Sequence, residues 1–358
     1  MAALYIHIPF CLQKCKYCDF VSFPLQNCIP DEYVKCICTE LEEYSGDSII
    51  ISTIYIGGGT PSLLSEAQLA KIIQGVKFNF TVSDNIEFTL EANPETYSTE
   101  KFLAYRALGV NRISLGVQSF RYLSALGRVH SKEQAENALR GIKNIFANVS
   151  LDLMNNLPGQ TLAEARNDLL AAVSFAPQHI SCYELTVEHG APLAAEKTVQ
   201  NAQGAEMYLQ TKKILEQHGY RQYEISNYAL AGFESRHNLA YWSDESYIGA
   251  GLAAHGYDQA KQLRYANTAD LKKYMRVFGK PEICGGESAR AEEPENSFNK
   301  IMLGLRKNSG IPLQYFSEEQ KCQAEELQKK GLLILENANC RATAAGRLVL
   351  NKILLEFM

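Results

Sequence analysis

Apolar and polar positions follow two rhythms along the first 220 residues. Short β-branched and aromatic runs predict strands at Leu4–Ile8, Thr53–Ile56, Ile86–Leu90, Arg112–Val117, Val149–Met154 and His179–Leu185. Between them, apolar residues three and four apart predict helices at Asp31–Tyr44, Ser65–Asn79, Thr99–Leu108, Ser131–Phe146, Leu162–Phe175 and Ala205–His218. Ser65 with Gln68 has the form of a capping box, and Gly109 that of a C-cap. Six strand-then-helix units imply a parallel sheet with right-handed crossovers. That pattern alone fits an open doubly wound sheet and a barrel equally. Polar or cysteine-rich positions follow the successive strands: a cysteine loop, Gly57-Gly58-Gly59, Glu91, Gln118 and, inside the fifth, Asp152. In barrels the chemistry gathers at that edge of the sheet.

After residue 220 the rhythm becomes irregular. Tyr223–Tyr257 is dense in aromatics, glycine and histidine. From about Pro294 the pattern predicts three helical runs with a strand pair, Leu332–Leu335 and Cys340–Ala342, in a small winged-helix-like unit. The expected organisation is therefore 1–220, 221–293 and 294–358.

Composition removes some function classes. The chain has 358 residues, 46% hydrophobic and 21% charged, with a net charge of -5. It has no Lys/Arg run longer than two, which argues against a nucleic-acid partner. No apolar stretch is long enough to span a bilayer, and the N-terminus lacks the basic start and apolar run of a signal peptide. The expected location is the cytoplasm, which still permits peripheral membrane contact.

Of the ten cysteines, Cys28, Cys36, Cys38, Cys182, Cys284, Cys322 and Cys340 are scattered and read as small buried hydrophobes. Cys11, Cys15 and Cys18 stand together as C-x3-C-x2-C. Thiolates bind soft metals, and iron–sulfur clusters usually take four of them. Three leave one iron open to another ligand. On spacing alone, a structural zinc completed by His7 or Cys28 and a group of adjacent buried thiols stay open as alternatives.

Cys11-Leu-Gln-Lys-Cys15-Lys-Tyr-Cys18 resembles the signature of radical S-adenosylmethionine (SAM) proteins. The resemblance implies a partial (βα)6 TIM-like barrel in an α/β fold. It implies a [4Fe-4S] cluster on Cys11, Cys15 and Cys18, with SAM chelating the fourth iron and cleaved by one electron to a 5'-deoxyadenosyl radical. Gly57-Gly58-Gly59-Thr60-Pro61 resembles the stretch that meets the SAM amino group, and Tyr5-x-His7-x-Pro9 the one whose tyrosine contacts SAM or the cluster. By themselves the glycines read as a plain turn, and His7 as a core histidine. Glu91, Gln118 and Asp152 match residues that line the SAM pocket in the coproporphyrinogen-oxidase branch, and Arg128 matches the arginine that holds the SAM carboxylate. Two departures stand out. The stretch between Gln118 and Arg128 is about two residues short, and Asn155-Asn156 replaces the usual Tyr-Gly.

Further motifs extend the resemblance along nearly the whole chain: Ser181–Glu188, Tyr223–Asn227 and Gly249–Gly256 are similar to the HemN/HemW group. Phe20 stands where the oxidases have a fourth cysteine, and Cys11 lies almost at the start. His237-Asn238-Leu-Ala-Tyr241-Trp242 is similar to a motif of the heme-chaperone branch. The resemblance to that branch implies that His237 takes part in heme binding, that heme passes to an unidentified acceptor protein, and that an electron donor serves the cluster. On residues alone, His237 reads as a loop cap and Trp242 as core. The other activity implied is oxygen-independent oxidation of coproporphyrinogen III.

Overall fold

The computed structural model describes residues 1–25, 28–45, 49–188, 191–196, 203–279 and 288–358, so Cys284 lies outside the described residues. In chain order come β1 (Ala2–Ile8), a two-stranded ladder β2 (Phe10–Cys11) with β3 (Phe23–Pro24), and α1 (Asp31–Glu43). Then β4 (Ile50–Gly58), α2 (Glu66–Asn79), β5 (Thr81–Ala92), α3 (Thr99–Ala107), β6 (Arg112–Gln118) and α4 (Lys132–Ile145) alternate. The alternation continues through β7 (Asn148–Asn155), α5 (Leu162–Ser174), β8 (His179–Glu184) and α6 (Gly204–Gln217). Predicted and observed helix starts agree where caps mark them: Ser65, Ser131 and Thr161 each close a capping box with the residue three further on.

The strands β1, β4, β5, β6, β7 and β8 lie side by side in chain order and run parallel. That order lacks the reversal of a doubly wound sheet and is that of a barrel wall. The wall does not close. The irregular region adds strands to both its edges. One edge takes β9 (Arg221–Gln222) and β10 (Asn227–Ala229), with β10 antiparallel to β8. The other takes β11 (Tyr247–Ala250), a seventh parallel strand beside β1, and then the antiparallel β12 (His255–Asp258), β13 (Leu263–Asn267) and β14 (Arg290–Pro294). The helices α7 (Arg236–Trp242) and α8 (Leu271–Gly279) lie between these strands in sequence.

The two faces of the curved sheet differ in chemistry. Outward residues such as Leu4, Ile6, Ile56, Leu90, Ile113 and Leu151 join one apolar cluster with the helices. Inward residues are polar and bond to one another: Tyr55 to Glu91, Ser114 to Asp152, Ser150 to His179. α7 closes the N-terminal end of the wall. Its first two amides donate to Glu87 at 3.1 and 3.0 Å, and the Arg236 side chain reaches the carbonyls of Ser52 and Asn85.

Glu40 on α1 fastens the added strands. Buried without exposed surface, it accepts from Tyr274 (2.6 Å), Asn267 (2.7 Å) and the Gly251 amide (2.7 Å), and pairs with Arg290.

The C-terminal unit has its own apolar cluster, Ile301 to Phe357. It contains α9 (Ser297–Arg306), β15 (Ile311–Pro312), α10 (Glu318–Lys329), β16 (Leu333–Glu336), β17 (Asn339–Ala342), α11 (Ala344–Leu348) and α12 (Leu350–Glu356). The expected strand pair is present as β16–β17, and β15 adds a third strand. No helix among the described residues is long and apolar enough to cross a membrane.

Candidate functional site

The C-terminal ends of the wall strands surround a cavity of about 380 Å³. Cys11, Cys15, Cys18, Gly58, Thr60, Glu91, Gln118, Arg128 and Asp152 all line it, although they span more than 140 positions of the chain. Tyr5, Gly57 and His237 do not.

The cysteine loop leaves β1 and is held by backbone bonds to distant segments. The Lys16 amide donates to Leu126, the Leu193 amide donates to Lys16, and Leu25 donates to Cys11. His7 fixes the loop from below. Its Nε2 bonds the Val21 carbonyl at 3.1 Å and its Nδ1 bonds the Tyr5 hydroxyl at 2.8 Å. Both ring nitrogens are thus engaged away from the thiols. Cys28, the other candidate for completing a zinc site, is exposed. Tyr5 reaches the site indirectly, through this relay and through the Tyr55 ring it stacks on.

The glycines serve the same loop. A side chain on Gly58 would meet the His7 ring at 2.7 Å, and its φ of +116° already favours glycine. A Cβ on Gly59 would lie 2.6 Å from the Phe10 carbonyl and 2.8 Å from Cys11 Sγ. Gly57 packs between Tyr5, Tyr55 and Glu91.

Each thiol has its own donors. The Thr60 and Ser22 hydroxyls favour the thiolate at Cys11, and the Phe20 backbone and Ser22 hydroxyl do so at Cys18. Arg128 Nη1 donates to Cys15 Sγ at 3.5 Å, and Tyr17 bonds the same sulfur. Burial pushes the Cys11 and Cys18 thiols up, and their hydroxyl and amide donors oppose it.

Among the carboxyls lining the cavity, Glu91 and Asp152 stand on neighbouring parts of the wall strands β5 and β7. Glu91 accepts from Tyr55 (2.8 Å) and from the Gly58 amide (2.9 Å). Burial, with Asp152 adding to it, pushes Glu91 up to about 7. Asp152 is also raised by burial, against donors on Ser181, Ser114 and Ser150. Gln118 enters the cavity because one residue of β6 is left over between Gly116 and Gln118, and its own φ is +69°. Such a bulge re-aims a side chain at a site edge.

Despite the shortened stretch before it, Arg128 reaches the cavity. Its Nη2 donates to Asn93 Oδ1 (2.7 Å) and the Gly116 carbonyl (2.8 Å). Asn93 in turn donates to Thr60 at 3.1 Å. Asn93 escapes sequence reasoning because Asn-Pro reads as a turn; its signal is its place directly after a strand at the active edge. Asn156 also finds a reason. It sits at φ +55°, where glycine is usual and asparagine tolerated, and it donates to Glu184 at 2.8 Å.

His237 lies elsewhere. It is 1% exposed on α7, with Nδ1 bonded to Thr53 (2.8 Å) and Nε2 to Tyr241 (2.8 Å). Thr53 is four residues below Gly57 on β4, about 13 Å along the strand. The ring stacks on Tyr55, and burial together with Arg112 holds it down to about 3.

The donor set suits an iron–sulfur cluster with an anionic co-ligand. Three thiols line one cavity with Arg128, whose buried Nε has no hydrogen-bond partner among the described residues.

Comparison with known proteins bears on the same residues. Residues 5–171 match the Radical SAM superfamily, and residues 293–349 match the HemN C-terminal domain. The chain is 35% identical to the heme chaperone HemW of Bacillus subtilis, covering 100% of this chain and 99% of the relative. It is 36% identical to HemW of Haemophilus influenzae, covering 99% and 97%. Among solved structures, coproporphyrinogen III oxidase (HemN) from Escherichia coli superposes with a TM-score of 0.83 at 22% identity, over 99% of this chain and 89% of that one, a likeness of fold. With identity above 30% sustained along its whole length, the chain belongs to the heme chaperone HemW family of radical SAM proteins.

Proposed function

We propose that this chain is a heme chaperone that binds a [4Fe-4S] cluster, SAM and heme, and passes heme to an acceptor protein. The observation that carries the reading is the meeting of Cys11, Cys15 and Cys18 with Arg128, Glu91, Gln118 and Asp152 around one cavity. The three thiolates hold the cluster. The Gly58 and Thr60 edge, Glu91, Gln118 and Asp152 orient the cofactor's polar groups, and Arg128 receives its carboxylate. When bound, the cluster and SAM together supply one-electron chemistry, for which an electron donor is needed. Tyr5 acts on the loop through His7.

Heme is assigned to His237. Its burial keeps the imidazole neutral, the form that ligates iron. Ligation would require Nε2 or Nδ1 to give up its bond to Tyr241 or Thr53. Support for heme comes from the relatives named heme chaperones and from the His237–Trp242 motif.

The test is anaerobic reconstitution with iron and sulfide followed by heme titration, with Cys15→Ser and His237→Ala beside the unaltered protein. A cluster band lost in the first and a heme band lost in the second support the reading. A cluster with no heme band removes the chaperone function and directs the search to coproporphyrinogen III, with anaerobic product analysis.

A further inference from the structure

The three thiols are not equivalent. All three have hydroxyl neighbours, Tyr17 at Cys15 included, but the Cys15 sulfur alone also takes an N–H from the Arg128 guanidinium among the described residues. That guanidinium is fixed without help from any ligand. Asn93 and Gly116, at the ends of β5 and β6, hold Nη2 at 2.7 and 2.8 Å, which leaves Nη1 aimed at Cys15 Sγ at 3.5 Å. Arg128 Nε is buried and has no hydrogen-bond partner among the described residues.

A thiolate that ligates a cluster gains negative charge when the cluster takes up an electron. An N–H donor to that sulfur, and a positive charge behind it, stabilise the reduced state more than the oxidised one and raise the reduction potential. We propose that Arg128 sets the reduction potential of the cluster through Cys15, before any other ligand arrives. The inference rests on the cluster assignment above. It adds a second task for Arg128, because the unpartnered Nε stays available to an anionic ligand while Nη1 keeps the sulfur. One guanidinium then links the arriving ligand to one corner of the cluster, and Asn93 is the residue that positions it.

The experiment is an EPR-monitored redox titration of the reconstituted full chain with no SAM present. It compares the unaltered protein, Arg128→Gln, Arg128→Lys and, as a distant charge control, Arg121→Gln, whose side chain pairs with Glu164 on the surface. The midpoint potential is expected to fall in Arg128→Gln, to fall less in Arg128→Lys, and to stay in place in Arg121→Gln. Resonance Raman in D2O supplies a second readout. The Fe–S(Cys) modes of the unaltered protein shift on deuteration, and part of that shift is lost in either Arg128 variant. Equal midpoints in all four proteins overturn the inference. If Arg128→Gln retains no cluster, Arg128→Lys decides, and an unchanged midpoint with an unchanged deuterium shift overturns it. An unaltered protein that takes up no cluster overturns the cluster assignment itself, and this inference with it.

Discussion

Glu91→Gln isolates what the buried carboxyl does to stability. Glu91 is held up at about 7 from an ordinary 4.5, first by burial and then by Asp152, while Tyr55, Gly58 and Arg112 oppose the rise. Between those two values the unfolded chain releases the proton and the folded chain keeps it. Stability from this group is therefore whole below pH 4.5 and is lost as pH rises through 7. At about 1.4 kcal/mol per pH unit the full loss is ~3 kcal/mol, of which ~2.5 kcal/mol falls between pH 5 and 8. Glutamine has nearly the shape of the protonated acid and no charge to bury, so the variant lacks this loss. With an unfolding entropy of roughly 2 cal/mol/K per residue, ~2.5 kcal/mol corresponds to about 3 °C in Tm. The assay is thermal unfolding of the cluster-free protein under reductant at pH 5 and at pH 8, for both proteins. Other titrating groups cancel in the double difference. The expected result is a variant whose Tm, relative to the unaltered protein, rises by about 3 °C between the two pH values. An identical pH dependence in both proteins would refute the reasoning and place Glu91 as an ordinary ionised carboxylate.

Three further outcomes follow from geometry already described. Gly59→Ala forces a methyl against the Phe10 carbonyl and Cys11 Sγ, so it should lower stability by about 1–3 kcal/mol and cut iron uptake on reconstitution, read by iron content. Glu40→Ala strips an acceptor from Tyr274, Asn267 and the Gly251 amide and leaves Arg290 without it, a loss of about 3–5 kcal/mol seen as a large fall in Tm. Asn156→Gly should stay within about 1 kcal/mol, since it gives up one hydrogen bond to Glu184. Asn156→Val should lose more than Asn156→Gly, because a β-branched residue resists φ +55°; equal Tm values for the two would contradict that reading.

The wall strands were legible as apolar runs, but only in their middles. Thr53–Ile56 extends to Ile50–Gly58, and Ile86–Leu90 to Thr81–Ala92. The missing positions include Ser52, Asp84, Asn85 and Glu91, polar residues within strands, which interrupt any apolar count. Glu87, Arg112 and His179 fall inside the predicted strands, but their burial does not follow from an apolar pattern; all three are buried. The four strands added beyond β1, β11 to β14, have four or five residues each; Gly249, His255 and Asp258 interrupt the first two, and β11 depends on β1, far away in sequence. The cysteine spacing and the glycine run were legible because each is local. Asn93 and the Tyr5–His7–Val21 relay were not, since each acquires meaning only when separate strand ends meet.

The position of β1 has a consequence for the order of assembly. It sits between β4 and β11, so this strand gains its second neighbour only once residues 247–250 are in place. The cysteine loop that follows it waits likewise, for Leu126 and Arg128 and then for Leu193. Until those segments exist, the loop's three thiols lack the contacts that space them, and closing so long a loop is entropically unfavourable without the strands between. The spacing of the three thiols is therefore a property of the assembled wall and not of the loop alone.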